Sequence, residues 1–286
     1  MPFSRTIARR LHPDFWQPNR KPRGSVRDRS DSTQHLRLIY NSGNLKELSR
    51  FRQNFTPSNT TVKVTDRGPV FDFNGTNSYV EIADNPALRI TNALTVTCWI
   101  RSNVATQEDF SGIVVKRLAS GDPFESYAIN MDTLGTRIEF AVSNSTSVGS
   151  KTAIQSTTTI VQDEWMFIAA VFDGSNSKMR IYINGVEETS ATKTGSIAYT
   201  NLALRLGHQV TPVTKYFDGQ IDDVRIFDKV LTSRQIFDIY RNLGHDLEPA
   251  TNFFWIPTQG AATDVFPTPY LWWAGQRDLT GTGNRP

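Results

Sequence analysis

Only one cysteine, Cys98, stands in the 286 residues, so no disulfide closes within the chain. It falls in an apolar alternating run, where a thiol packs as a small hydrophobe and does not react. Histidine is sparse too: His12, His35, His208 and His245 are scattered, and none has the spacing of a metal site. No run of eighteen apolar residues occurs, which excludes a membrane-spanning helix. The first residues, Met1 to Leu11, lack the apolar stretch of a secretory signal, so synthesis and assembly in a cytoplasm are expected. In that setting the Asn-x-Ser/Thr triplets at Asn54, Asn59, Asn74 and Asn144 read as turn chemistry, not as glycan acceptors. No Ser/His/Asp or Cys/His set, phosphate loop, dinucleotide fingerprint or internal repeat is present.

What is present divides the chain in three. Residues 1–30 hold eight basic side chains against Asp14 and Asp28, a charge of +6, and the whole chain carries only +3. The basicity therefore belongs to an arm, residues 1–34, which has no strand period and is broken by Pro13, Pro18 and Pro22. Ordering such an arm costs roughly 1–2 kcal/mol per residue with no core of its own to offset it, which points to a partner. Residues 35–245 carry strand patterning. Residues 246–286 form a second arm, rich in aromatic residues and stiffened by Pro257, Pro267 and Pro269. Four of the six tryptophans, Trp16, Trp255, Trp272 and Trp273, lie in the arms, where large aromatic side chains suit interface anchors. The expected partner-binding residues are Arg9, Arg10, Phe15, Trp16, Arg20, Lys21 and Arg23 on the first arm. On the second they are Phe254, Trp255, Tyr270, Trp272 and Trp273.

Between the arms the pattern alternates. Leu94, Val96, Cys98 and Ile100 share one face, and so do Met179, Ile181 and Ile183, with Lys178, Arg180 and Tyr182 outward. Asn184-Gly185 between two such runs is a strong hairpin signal. Leu36–Tyr40 reads as the first strand, and the Ser/Thr-rich stretches 143–159 and 189–200 as exposed hairpins. The last strand follows Asp218-Gly219. Strict alternation would put Ile221, Asp223, Arg225 and Phe227 on one face and Asp222, Val224, Ile226 and Asp228 on the other. A helix follows, with Thr232 as cap, Gln235 in the capping-box position, and Ile236, Ile239, Tyr240 and Leu243 at i, i+3, i+4, i+7.

Five stretches in order resemble laminin-G-like, concanavalin A-like jelly rolls: Phe71 to Ile82, Thr95 to Arg101, Glu164 to Gly174, Met179 to Val186, and Phe217 to Thr232 with its helix. The resemblance implies an all-β antiparallel sandwich with one short C-terminal helix, flanked here by extended arms. It also implies that the entry strand at Phe71 and the exit strand after Phe217 are neighbours. Many such domains bind calcium, for which Asp72, Asn74, Asp222 and Asp223 are the candidate ligands. No cofactor is expected. Carbohydrate binding is the usual role the resemblance implies, with Tyr182, Tyr216, Phe110 and Phe124 as stacking candidates.

Glucanases share this architecture, but their E-x-D-x-x-E strand has no match here, and alternation would separate the adjacent Asp222 and Asp223. No enzyme is expected. The flanks add a further resemblance. Arg9 to Pro22 before the domain, and Tyr240-Arg241-Asn242-Leu243, Glu248-Pro249 and Phe254-Trp255-Ile256-Pro257 after it, resemble laminin-G-like structural proteins of tailed bacteriophages. Leu243 and Gly244 stand where that pattern has a proline after the asparagine. The resemblance implies a non-enzymatic virion protein, as head decoration, fibre or tail component, whose partners are other virion proteins and copies of itself. The alternative is a lectin-like module for host surface glycans. Neither a membrane nor a nucleic acid is an expected partner.

Overall fold

The computed structural model describes residues 36–41, 46–47, 55–209 and 215–241, the first two segments in their backbone course alone. Eighteen strands and one α-helix occupy them. One sheet, here the first, runs in the order β14 (Val186–Thr192), β13 (Lys178–Ile183), β12 (Trp165–Asp173), β7 (Ala93–Ser102), β18 (Asp218–Phe227), β1 (Leu36–Asn41) and β2 (Lys46–Glu47). The outer edge of β18 is shared: its first half pairs with β5 (Gly68–Asn74), which pairs with β4 (Thr61–Thr65), and its second half pairs with β1. Leu36–Tyr40 is thus the first strand, and the entry strand at Phe71 (β5) and the exit strand (β18) are neighbours, as expected. The second sheet runs β11 (Lys151–Thr159), β10 (Arg137–Ser143), β9 (Glu125–Met131), β8 (Gly112–Arg117), β15 (Leu204–Leu206), β6 (Tyr79–Ile82) and β3 (Phe55–Ser58). A two-stranded ribbon, β16 (His208–Gln209) with β17 (Lys215–Tyr216), is separate from both.

The two sheets close over one apolar core. Val96, Cys98 and Ile100 of β7 and Ile181 and Ile183 of β13 face Ile129, Phe140 and Val142 across it, on the faces that alternation assigns. Each such side chain contributes about 1.5–3 kcal/mol by leaving water. Cys98 is buried, and burial pushes its thiol well above its ordinary range. At the β13–β14 hairpin Asn184 and Gly185 both have positive φ, 50° and 82°, as a tight turn matched to strand twist requires.

Three features depart from the pattern in the sequence. First, the outer face of the first sheet is not open. The helix α1 (Ser233–Arg241) lies on it, so Tyr182, expected outward, is only 3% exposed and hydrogen-bonds Glu187 and Ser233. The cap forms as expected: Gln235 N–H donates to Thr232 Oγ1 and Thr232 N–H to Gln235 Oε1. Ile236 and Ile239 are buried, and Tyr240 stacks on Trp99; Leu243 lies outside the described residues. Second, the Ser/Thr-rich stretches lie in hairpins as expected but also supply the edge strands of the sheets, β11 and β14, because β-branched threonines suit a half-exposed strand.

Third, β18 does not alternate throughout. A β-bulge between Asp222 and Arg225 places Asp223 at φ 48°. The extra residue returns Val224 to the core beside Ile221 and Ile226, and puts Asp222, Arg225 and Phe227 on the outer face. Asp222 and Asp223 are therefore not separated by the sheet. Arg225 holds Asp223 through two bonds, 2.7 and 2.9 Å, while Arg67 bonds Asp222 at 3.2 Å and lies 4.1 Å over the Trp99 ring. Each carboxylate is thus held by a guanidinium.

Candidate functional site

The outer face of the second sheet is built differently. Strand register sets Gln155, Glu139, Asn130 and Gly112 side by side across β11, β10, β9 and β8. An outward-facing sheet row carrying polar side chains is ordinary, but these are enclosed: Asn130 is 0% exposed and Glu139 4%. The reason lies at Gly112. A Cβ there would sit 2.5 Å from the carbonyl carbon of His208 and 2.8 Å from its oxygen, closer still to the Gln209 nitrogen. Glycine lets β16 lie directly on β8. Gly207, at φ 77°, turns the chain into the ribbon, with Phe217 N–H bonded to its carbonyl at 3.0 Å. Lys215 ties β17 to the loop before β8 through Glu108 and Asp109 at 2.7 and 2.6 Å.

The ribbon brings aromatic rings to this face. Tyr216 stacks on His208 with ring centroids 4.0 Å apart and planes 8° from parallel. His208 then meets Tyr79 at 5.5 Å, and the Arg205 guanidinium lies 4.7 Å over Tyr79, held by Glu81 at 2.7 Å. Arg205 can only donate, so His208 Nδ1, at 3.1 Å, accepts, and the proton of the neutral ring sits on Nε2. Burial, with Arg205 and Arg117 nearby, lowers the His208 pKa to about 4, so the neutral form holds at pH 7.

Beneath and beside the stack lies a group of buried polar atoms that no hydrogen bond satisfies among the described residues. Both side-chain atoms of Asn130 are among them, with Glu139 Oε1, Gln209 Oε1, His208 Nε2, Arg117 Nε and Ser143 Oγ. Glu125 Oε1 has only the Lys151 ammonium, at 3.2 Å. A buried donor or acceptor left unmade costs about 1–3 kcal/mol, and folded proteins keep few of them. Here seven residues, five on the sheet and two on the ribbon that lies on it, contribute them, donors interspersed with acceptors. Burial raises the Glu139 carboxyl, opposed by Lys151 and by Gln155, which donates at 3.4 Å, and assisted by Glu125 and Asp132.

Of the stacking candidates, Tyr216 stands at this site, and half-buried Phe110 flanks it with its ring 5.7 Å from the Lys151 ammonium. Phe110 holds φ 56°, a costly conformation for an aromatic residue. Phe124 is half-buried in the β8–β9 turn, where its carbonyl accepts from Leu118, and Tyr182 is under α1. The calcium candidates have other partners: Asp72 accepts from Gln220, Asn74 Oδ1 from the amides of its own turn, and Asp222 and Asp223 from arginines. Among the described residues no three His, Cys, Asp or Glu side chains are grouped to hold a metal ion. A cleft of about 530 Å³ at the sandwich rim, lined by Asn85, Arg89, Asn92 and Asp228 among others, collects none of the unpartnered buried atoms. The twelve arm residues expected to bind partners, from Arg9 to Arg23 and from Phe254 to Trp273, lie outside the described residues.

His208, Tyr79, Arg205, Asn130, Glu139 and Gln209 were not singled out by the sequence. They come from strands up to 130 positions apart in numbering, Tyr79 to Gln209, and only the sheet order β10-β9-β8-β15-β6, with β16 of the ribbon lying on it, collects them. The one local signal was Gly112, a glycine opening an apolar strand, which marks a close backbone approach.

Comparison with solved structures gives the same architecture. The binding domain of a paraclostridial mosquitocidal protein superposes with a TM-score of 0.60 at 15% identity, over 73% of this chain and 52% of that one. Botulinum neurotoxin type C gives 0.60 at 16%, over 75% and 52%. This chain thus spans about half the length of those toxin chains. Domain 4 of AbnA, a GH43 extracellular arabinanase of Geobacillus stearothermophilus, gives 0.56 at 20%, over 72% of this chain and 98% of that domain. No curated protein matches the sequence. A laminin-G-like family model, described as the concanavalin A-like lectin/glucanases superfamily, matches residues 74–237, more than half of the chain. With strands β6 to β18, drawn from both sheets of the sandwich, inside that match, the chain belongs to the concanavalin A-like lectin/glucanases superfamily.

Proposed function

We propose that this chain is a non-enzymatic carbohydrate-binding module and that the outer face of the second sheet is its binding site. The observation that carries it is the enclosed set of unpartnered donors and acceptors on β8, β9, β10 and β16 beside a stack of aromatic rings. A hydroxyl both donates and accepts, so a polyhydroxylated ring matches a mixed set of this kind, and its apolar face matches Tyr216. Similar folds support the assignment: the arabinanase domain was solved with arabinotriose, and the neurotoxin type C structure concerns two ganglioside molecules. Catalysis is not part of the proposal, since Glu125 is held by Lys151 and Asp222 and Asp223 by arginines. The test is a glycan array probed with the full chain and with Asn130→Ala and Tyr216→Ala. Binding that both substitutions abolish supports the site; binding that neither changes places the sugar elsewhere.

A second reading concerns where the module is displayed. The basic arm 1–34 and the aromatic arm 246–286, which resemble the flanks of tailed-phage structural proteins, support a virion component anchored by its arms around a domain at 35–245. Mass spectrometry of purified particles, with crosslinking from Trp16 and Trp255 positions, tests it: absence of the chain from particles refutes the virion role and leaves the sugar site untouched.

A further inference from the structure

The enclosed site has two electrically different ends. Toward β15 and β6 the charged groups are Arg117, Arg205 and Glu81, a net +1. Toward β9–β11 they are Glu125, Glu139 and Asp132 with Lys151, three carboxylates against one ammonium, a net −2. The ammonium is engaged at Glu125, and Glu139 has only a weak amide bond at 3.4 Å on one oxygen. Its other oxygen has no partner. Asn130, fully buried and directly opposite Glu139 in register, leaves its carbonyl oxygen equally unpartnered, and so does Gln209, which approaches Glu125 through its other atom at 3.4 Å. A buried carboxylate in this position is compensated either by a proton or by a cation.

We infer that the acidic end of this site recognises a cationic amine, so that the preferred ligand is an amino sugar with a free ammonium group. An ammonium has three donors, which suit the oxygens of Glu139, Asn130 and Gln209. The neighbouring donors, His208 Nε2 and Asn130 Nδ2, are left for hydroxyls of the same ring. A bare divalent ion is the poorer match: among the described residues no group of three carboxylate, imidazole or thiol ligands occurs, and the interspersed donors would repel it. Asn130 and Glu139 are buried, so entry requires the side chains over them to turn aside, a rearrangement of the kind binding sites commonly make. The inference rests on the sugar-binding reading of the same face.

The experiment measures affinity of the full chain for glucosamine, glucose and N-acetylglucosamine by titration calorimetry near pH 6.5, where the sugar amine is protonated. Glucosamine is expected to bind about tenfold more tightly than the other two, the value of one charge-assisted hydrogen bond. Glu139→Gln is expected to erase that ratio. Lys151→Met, which removes the competing cation, is expected to raise glucosamine affinity several-fold, a gain that misfolding cannot produce. Equal affinity for all three sugars, abolished by Asn130→Ala, overturns the amine preference and leaves the sugar site standing. Failure of every sugar to bind overturns both. Calcium binding that Glu139→Gln removes, with no response to glucosamine, overturns the inference in favour of a metal ion.

Discussion

Replacing Gly112 with alanine adds one methyl group at the point where the ribbon rests on the second sheet. That methyl would stand 2.5 Å from the His208 carbonyl carbon and 2.8 Å from its oxygen. Ordinary contacts begin near 3.4 Å, and the neighbours are backbone atoms, so a rotamer change gives no relief. The ribbon must lift by about 1 Å, an overpacking cost of about 1–3 kcal/mol. For a domain of this size each kcal/mol lowers Tm by roughly 2–4 °C. The sandwich core faces away from the lesion, so the larger effect falls on the site: His208, Gln209 and Tyr216 move off Asn130 and Tyr79. Thermal unfolding gives the first quantity and sugar titration the second. The expected result is a modest fall in Tm with a loss of binding of tenfold or more, by about 1.4 kcal/mol. An alanine variant with unchanged Tm and unchanged affinity would refute both the seating of the ribbon and the location of the site.

Other outcomes follow from the same geometry. Arg225→Met leaves the carboxylate of Asp223, 1% exposed, without its guanidinium, and should cost about 3–5 kcal/mol in urea unfolding; adding Asp223→Asn should recover part of it. The His208 pKa falls from 6.5 to about 4 on folding, so the unfolded state takes up the proton first. Stability from this group is complete above pH 6.5 and is lost as pH falls toward 4, by about 1–2 kcal/mol after allowance for solvent screening at the ribbon. His208→Gln should flatten the stability profile across that window and leave it unchanged above it. Cys98, buried with its thiol pushed up, should react with a thiol reagent only at the rate of global unfolding; fast labelling in the native state would contradict its place in the core.

Local chemistry made much of the architecture legible. The alternation of Leu94, Val96, Cys98 and Ile100, the Asn184-Gly185 turn, and the Thr232 and Gln235 cap each depend on residues adjacent in sequence, and each formed as patterned. Alternation failed at Asp223, because a bulge adds a residue without leaving a mark on polarity. It put Tyr182 on the outward face correctly but could not give its burial, since a helix that starts at Ser233 decides whether an outward side chain meets water.

What the sequence by itself determined was the inventory: one thiol in an apolar strand, a basic first stretch, an aromatic last stretch, and strands whose faces are set by a period of two. What only the tertiary structure decided was which side chains share a surface. Asn130 and Glu139 meet because two strands pair in one register, and His208 joins them because Gly112 has no side chain to keep β16 away. Register and close approach depend on pairs of residues distant in the chain. Neither is encoded at a single position, so the site emerges only when the sheets are assembled.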